Sequence, residues 1–280
     1  MSCRSIGLVS RPVEALAQID DWPAENKAAG VVSGDRTWAR GPEERAFAWA
    51  SVTKLFTATA VLVAAEEGVL DLDEAAGPPG STLRHLLAHA SGLSFDGPRP
   101  ISEPGKRRIY SNTGYEELGA FLSERAEMPF SEYLAAAVLE PLALSRTTLE
   151  GSPAAGLAGT LADLLVFGRE LLAPTLVATE TLAEATSVAF PGLVGILPDF
   201  GRYEPLDWGL GFELRDAKSP HWTGTRNSAR TFGHFGGAGS FIWVDPEAGA
   251  ACAGLADRQF GEWAKKAWPP LSDAVLAELR

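Results

Sequence analysis

Along the first fifty residues, apolar positions fall in short runs separated by turn-forming pairs. The segments 28–33, 37–40 and 45–50 read as strands, with Gly34-Asp35 and Gly41-Pro42 as the breaks between them. Ahead of them, Pro12 opens a short helix to residue 20 whose apolar side is Val13, Leu16, Ala17 and Ile19. The pattern then changes. From Ser51 to Gly68 apolar side chains fall on nearly every side of a helix (Leu55, Phe56, Ala58, Val61, Leu62, Val63 and Ala65). The helix predicted over 51–67 is therefore buried nearly all round. Ser51 stands at the junction of strand and helix.

From residue 72 to about 205 the pattern is mostly helical. Ser81 caps a predicted helix over 82–89, further helices follow over 113–126 and 131–139, Thr160 caps one over 161–172, and 179–186 adds another. After Trp208, strand signals return over 209–215, 231–234, 240–244 and 250–256, with residues 245–249 as a hairpin turn. Ser272 caps a final helix over 273–279, and another helix starts near Gln259. Strands from both ends of the chain can share one sheet. The expected fold is thus α+β, an antiparallel β-sheet flanked by helices with an inserted helical lobe. The expected organisation is a sheet subdomain of residues 1–71 and 206–280, a mostly helical subdomain of residues 72–205, and a catalytic cleft between them.

Charge narrows the partners. Among 280 residues, 24 Lys and Arg face 36 Asp and Glu, a net charge of -12. Such a chain lacks the basic footprint that nucleic acid or an anionic membrane surface requires. A local pocket can still oppose that sign, so an anionic small substrate stays open. Cys3 and Cys252 have no metal-ligand spacing, and Cys252, in an apolar run, reads as a buried inert thiol. No stretch has the length of a membrane span or of a signal peptide's apolar region, which points to the cytoplasm. His85 and His89 lie four apart on a helix, but Leu86 stands where a zinc hydrolase needs Glu. No metal site and no cofactor are expected. No Gly-x-Ser-x-Gly elbow is present.

Three short motifs carry candidate chemistry. In Ser51-Val52-Thr53-Lys54 the hydroxyl and the amine lie one helical turn apart. A serine needs a base to become nucleophilic, and a lysine becomes one when burial lowers its pKa. At the start of a helix the Ser51 N–H also points outward, where it can stabilise an oxyanion. Alone, this motif is equally a helix cap with a solvated lysine. Tyr110-Ser111-Asn112 offers a phenol that can relay protons and an amide that can fix a carbonyl or the lysine. Alone, it reads first as a turn with Asn112 as a helix N-cap. The run 232–239, containing His234, Gly236 and Gly237, can bring a second oxyanion N–H against a ligand, or be only a Gly-rich strand with a bulge.

Taken in order, Ser51-Val52-Thr53-Lys54, Tyr110-Ser111-Asn112 and His234-Phe235-Gly236 resemble the three motifs of class C serine β-lactamases, DD-peptidases and related esterases. Connecting segments agree, among them residues 86–93 (LLAHASGL), 109–118 (IYSNTGYEEL) and 208–212 (WGLGF), so the resemblance covers about residues 28–280. It implies that Ser51 is the acylated nucleophile, Lys54 its base and Tyr110 the partner acid–base. It further implies that Asn112 positions the substrate or the lysine, that His234 stands in the substrate site where the motif often has Lys, and that the N–H groups of Ser51 and Gly237, next to Gly236, form the oxyanion hole. The third motif departs from the family's Lys-Thr-Gly. A neutral histidine there removes a permanent cation for a substrate carboxylate. The expected function is therefore a serine esterase or amidase acting on a small-molecule ester or amide. The alternatives are β-lactamase or DD-peptidase activity, or a non-catalytic relative that binds a ligand in the cleft.

Overall fold

The computed structural model describes residues 13–279. A 3-10 helix, Glu14–Asp21, comes first, where the sequence predicts a short helix. Cys3, in the N-terminal stretch, lies outside the described residues. Strands β1 (Lys27–Ser33) and β2 (Arg36–Arg40) then join a six-stranded antiparallel sheet. The remaining strands of that sheet come from the other end of the chain: β8 (Glu213–Leu214), β9 (Phe232–Gly236), β10 (Ser240–Asp245) and β11 (Ala250–Ala256). The order is β2-β1-β11-β10-β9-β8. This is the α+β antiparallel arrangement that the sequence predicts.

The expected strand over 45–50 shrinks to β3 (Phe47–Ala48) and pairs elsewhere, in a small sheet with β4 (Thr148–Leu149) and β5 (Leu157–Gly159). Both sides of β1 are already taken, by β2 and β11, so β3 has no place beside it. A further hairpin, β6 (Gly195–Leu197) and β7 (Gly201–Tyr203), has no counterpart in the predicted elements.

Two apolar layers enclose the sheet. Along β10 and β11, Ile242, Val244, Ala251, Ala253 and Leu255 point into one, and Phe241, Trp243, Ala250, Cys252 and Ala256 into the other. Burial on both faces explains why these strands read as continuous apolar runs. Cys252 is a free, buried cysteine whose thiol burial pushes upward, as its apolar run suggests.

The first layer contains the helices α1 (Thr53–Glu66), α2 (Leu83–Leu87), α3 (Thr113–Ala126), α4 (Phe130–Leu134), α5 (Leu161–Leu172) and α6 (Thr179–Ala185). Helix α1 is at its centre, with Thr53 through Ala64 all buried. Phe56 stacks on Phe167 of α5 at 3.7 Å between ring centroids. Among the described residues, no helix is long and apolar enough to cross a membrane.

The second layer is α7 (Glu262–Glu278) with the N-terminal 3-10 helix. Here the structure differs from the sequence reading. One helix runs straight through Pro269 and Pro270, where the sequence suggests two. Each proline removes one helical hydrogen bond. Burial of Trp268, Leu271, Val275 and Leu276 against the sheet outweighs that loss. Ser272 accordingly caps nothing: its hydroxyl donates to the Trp268 carbonyl (3.0 Å) and accepts from Trp243 Nε1 (3.0 Å). Likewise Thr82, not Ser81, stands at the start of α2, with its N–H 3.3 Å from His85 Nδ1.

Because Phe56 joins α1 to α5 at the centre of the larger core, Phe56→Ala should lower the unfolding free energy by about 3–5 kcal/mol in urea titrations. An unchanged midpoint would contradict this view of the core.

Candidate active site

The Ser51 turn is shaped by its neighbours. Ala50 has φ 44°, in the left-handed region that a residue with a Cβ enters at a cost. A 3-10 turn, Ala50–Val52, leads from it into α1, so the α-helix proper starts at Thr53, two residues later than predicted. The end of β9 and the start of β10 hold this turn. The Ser240 hydroxyl donates to the Trp49 carbonyl at 2.7 Å. Gly236 lies so close that an added Cβ would collide with that same carbonyl and with Ser240 Oγ. A glycine here lets the third motif approach the serine turn. Gly237, next along, is exposed, and its N–H finds no acceptor among the described residues.

Lys54 is completely buried in α1. Its Nζ lies 2.8 Å from Asn112 Oδ1, 2.9 Å from the Ala154 carbonyl and 3.2 Å from Ser51 Oγ. No carboxylate pairs with it among the described residues; Asp96 and Glu116 act only at a distance. Burial therefore dominates and lowers its pKa to about 7. An uncharged amine has two hydrogens and one lone pair. With its two hydrogens directed at the two carbonyl oxygens, such an amine would present its lone pair to the Ser51 hydroxyl.

Asn112 occupies the N-cap position of α3, but its side chain makes no cap hydrogen bond. Its Oδ1 faces Lys54, while its Nδ2 donates to Asp96 Oδ1 at 3.2 Å. The ordinary capping role, which the sequence alone favours, is thus replaced by a link to the lysine.

Tyr110 sits on the extended segment before α3, boxed by rings of His89 (4.6 Å), Phe95 (5.9 Å), Trp208 (5.9 Å) and His234 (5.6 Å). Two residues earlier, buried Arg108 donates to the carbonyls of Ala88 (2.5 Å), Ala189 (2.7 Å) and Leu206 (3.0 Å), which fixes this segment. Burial raises the Tyr110 pKa, partly opposed by a hydrogen bond with Ser51, so the phenol keeps its proton.

His234 completes the cluster. Its Nδ1 lies 2.6 Å from the Phe235 carbonyl, which can only accept, so Nδ1 carries the hydrogen. The bare Nε2 then faces the Tyr110 hydroxyl at 3.3 Å. Burial, followed by the nearby Lys54, lowers the His234 pKa to about 3. The ring is neutral near pH 7, as the departure from lysine in this motif suggests.

The structure thus brings Ser51, Lys54, Tyr110, Asn112, His234 and Gly236 into one cluster, with Gly237 at its exposed edge. Sequence reasoning missed the Ala154 and Trp49 carbonyls and Ser240. Backbone oxygens leave no residue-type signal, and Ser240 belongs to no motif. It also missed the buried group on the edge strand β8, where Glu213 accepts from Trp222 Nε1 (2.9 Å) and pairs with Lys218 (2.9 Å) and His221 (2.9 Å). Burial would raise the Glu213 carboxyl, but His221 and Lys218 hold it down to about 2. His89, read as structural, accepts from the Ser111 N–H at 3.1 Å.

Comparison with known proteins agrees with this geometry. The sequence profile of the family described as Beta-lactamase matches residues 20–276, and the chain belongs to that family of serine hydrolases. A crystal structure of a β-lactamase from Mycobacterium bovis (Mb2281c) is 50% identical, with a TM-score of 0.93 over 95% of this chain and 99% of that one. EstCE1, a hydrolase with promiscuous acyltransferase activity, shares the fold at 18% identity, with a TM-score of 0.78 over 94% of this chain and 97% of its own. Penicillin-binding protein 4* of Bacillus subtilis (strain 168) is 26% identical over 134 residues, 36% of this chain and 30% of that protein. The chain therefore spans less than a third of that curated relative.

A lowered lysine pKa sets the sign of the pH dependence. The free amine, the basic form, grows as pH rises through about 7. For a neutral ester, kcat/KM should rise up to that pH and level off above it. A rise that continues to pH 10 would contradict a desolvated amine.

Proposed function

We propose that this chain is a serine esterase or amidase for small neutral substrates, and that it works through an acyl-enzyme on Ser51. The observation that carries the reading is the buried Lys54 amine, whose Nζ lies 2.8 and 2.9 Å from two carbonyl oxygens and 3.2 Å from Ser51 Oγ. In this reading Lys54 takes the hydroxyl proton as Ser51 attacks the substrate carbonyl. The N–H groups of Ser51 and Gly237 stabilise the oxyanion. Tyr110 gives its proton to the leaving oxygen or nitrogen, and the Lys54 ammonium, 4.9 Å from the Tyr110 ring centre, returns one to the phenolate. Water then attacks the ester by the same steps in reverse. His234 Nε2 holds the Tyr110 hydroxyl in place between turnovers, and Asn112 holds the amine.

The same proposal divides the chain into a sheet part, residues 1–71 and 206–280, and a mostly helical part, residues 72–205, with the cluster between them. The choice of neutral esters rests on the neutral His234, which offers no fixed cation to a carboxylate. A second reading, β-lactam hydrolysis, is favoured by the name of the Mycobacterium bovis relative.

A fluorophosphonate probe should label the protein on Ser51, and Ser51→Ala should remove the label. Labelling that survives this substitution would overturn the proposed nucleophile. Nitrophenyl acetate should be turned over faster than a chromogenic cephalosporin, and the reverse ranking would favour the second reading. Tyr110→Phe should lower kcat by about 10²- to 10⁴-fold, the usual worth of a positioned acid–base group. A loss below threefold would remove Tyr110 from the mechanism.

A further inference from the structure

A cavity of about 390 Å³ opens beside Tyr110. Its floor is the segment from Arg107 to Tyr110. One wall is the loop carrying Phe95 and Ile101, and the other is Val194 with the β6–β7 hairpin that follows it, carrying Ile196 and Arg202. The hairpin is docked on the floor: the Arg108 N–H donates to the Val194 carbonyl at 2.9 Å. Gly195 lies so close that a Cβ there would press on the Arg108 backbone.

The lining is mixed: Arg107, Arg108 and Arg202 contribute to it beside the apolar side chains. Among the described residues, six large apolar side chains are exposed, and three of them meet in this one cavity: Phe95 (50% exposed), Ile101 (66%) and Ile196 (64%). Exposed apolar groups gathered in a cleft mark a ligand site. The occupant is indicated by position, because Phe95 stacks on the Tyr110 ring at 5.9 Å and its carbonyl accepts from the Asn112 N–H at 2.8 Å. Tyr110 thus belongs both to the cavity wall and to the cluster around Ser51, so the two sites share one side chain. The volume falls at the small end of the range for ligand pockets, about 300–1,000 Å³.

We propose that this cavity takes an extended hydrocarbon arm of the substrate, so that the enzyme prefers esters of medium-chain acids or alcohols to acetate-sized ones. The inference rests on the acyl-transfer reading above and names its substrate class. Each methylene that moves from water into the pocket should raise kcat/KM about two- to fourfold until the cavity is full.

Two ester series separate the possible sources of the arm. In one, the acyl chain of a nitrophenyl ester grows from acetate to octanoate. In the other, the alcohol chain of an acetate ester grows from ethyl to octyl. A rise of about tenfold or more over four methylenes in either series supports the pocket and says which side of the ester fills it. Ile196→Asp should then cut the ratio of the six-carbon to the two-carbon member about tenfold. Ile101→Asp should act in the same direction. Val166→Asp, an exposed apolar site on α5 outside the cavity, should keep the ratio. Because the ratio is internal to each variant, it is independent of how much protein is active. Acetate cleavage with no chain-length dependence in either series overturns the pocket while leaving acyl transfer standing. So does a dependence that both aspartates leave intact. Failure of every ester and of the fluorophosphonate to acylate the protein overturns the underlying reading instead.

Discussion

The structure depends on one amine held inside the protein without a counter-ion. Burying a charged lysine is costly, and the cost is avoided only if the group gives up its proton. Every element around Lys54 serves that outcome. Helix α1 keeps it dry, and the Ala154 carbonyl and Asn112 Oδ1 satisfy the hydrogens that the neutral amine retains. Carboxylates stay far enough away that they do not restore its charge. A paired Asp or Glu at hydrogen-bond distance would raise the pKa again and silence the base.

The same logic of neutral, buried groups extends across the cluster. Tyr110 keeps its proton and His234 has none to spare, so the pair forms a hydrogen bond with a defined direction, O–H to Nε2. A buried ion group lies elsewhere, where Glu213 of the edge strand β8 meets Lys218 and His221. Tyr110 and His234 thus bring polarity without fixed charge to the cluster, while the Asp96 carboxylate reaches it through Asn112 Nδ2. The proposed preference for neutral esters rests on the Tyr110 and His234 pair.

Much of this was legible in the sequence, and the reasons are specific. Helix α1 announces itself because it is apolar on nearly every side, which also marks Lys54 as anomalous. The motifs at Ser51, Tyr110 and His234 are far apart in sequence, and only a sheet made from both ends of the chain can gather them. The short strand β3 was misread because strand patterning says nothing about which edges are free. Helix α7 was split at Pro269-Pro270 because local propensity ignores the packing of Trp268 and Leu271. The direction of the Asn112 side chain was not legible, since a capping asparagine and a lysine-binding one look identical in sequence. The Ala154 carbonyl was equally invisible, because any residue supplies one.

The central claim is a statement about one nitrogen. Burial places Lys54 to titrate near neutrality. Carbon-13 NMR of the lysine Cε resonances, with the Lys54 signal identified by its loss in Lys54→Met, measures it directly. The account predicts an inflection near pH 7. A Lys54 resonance that stays in its protonated position to about pH 10, the range of an ordinary lysine, would contradict it.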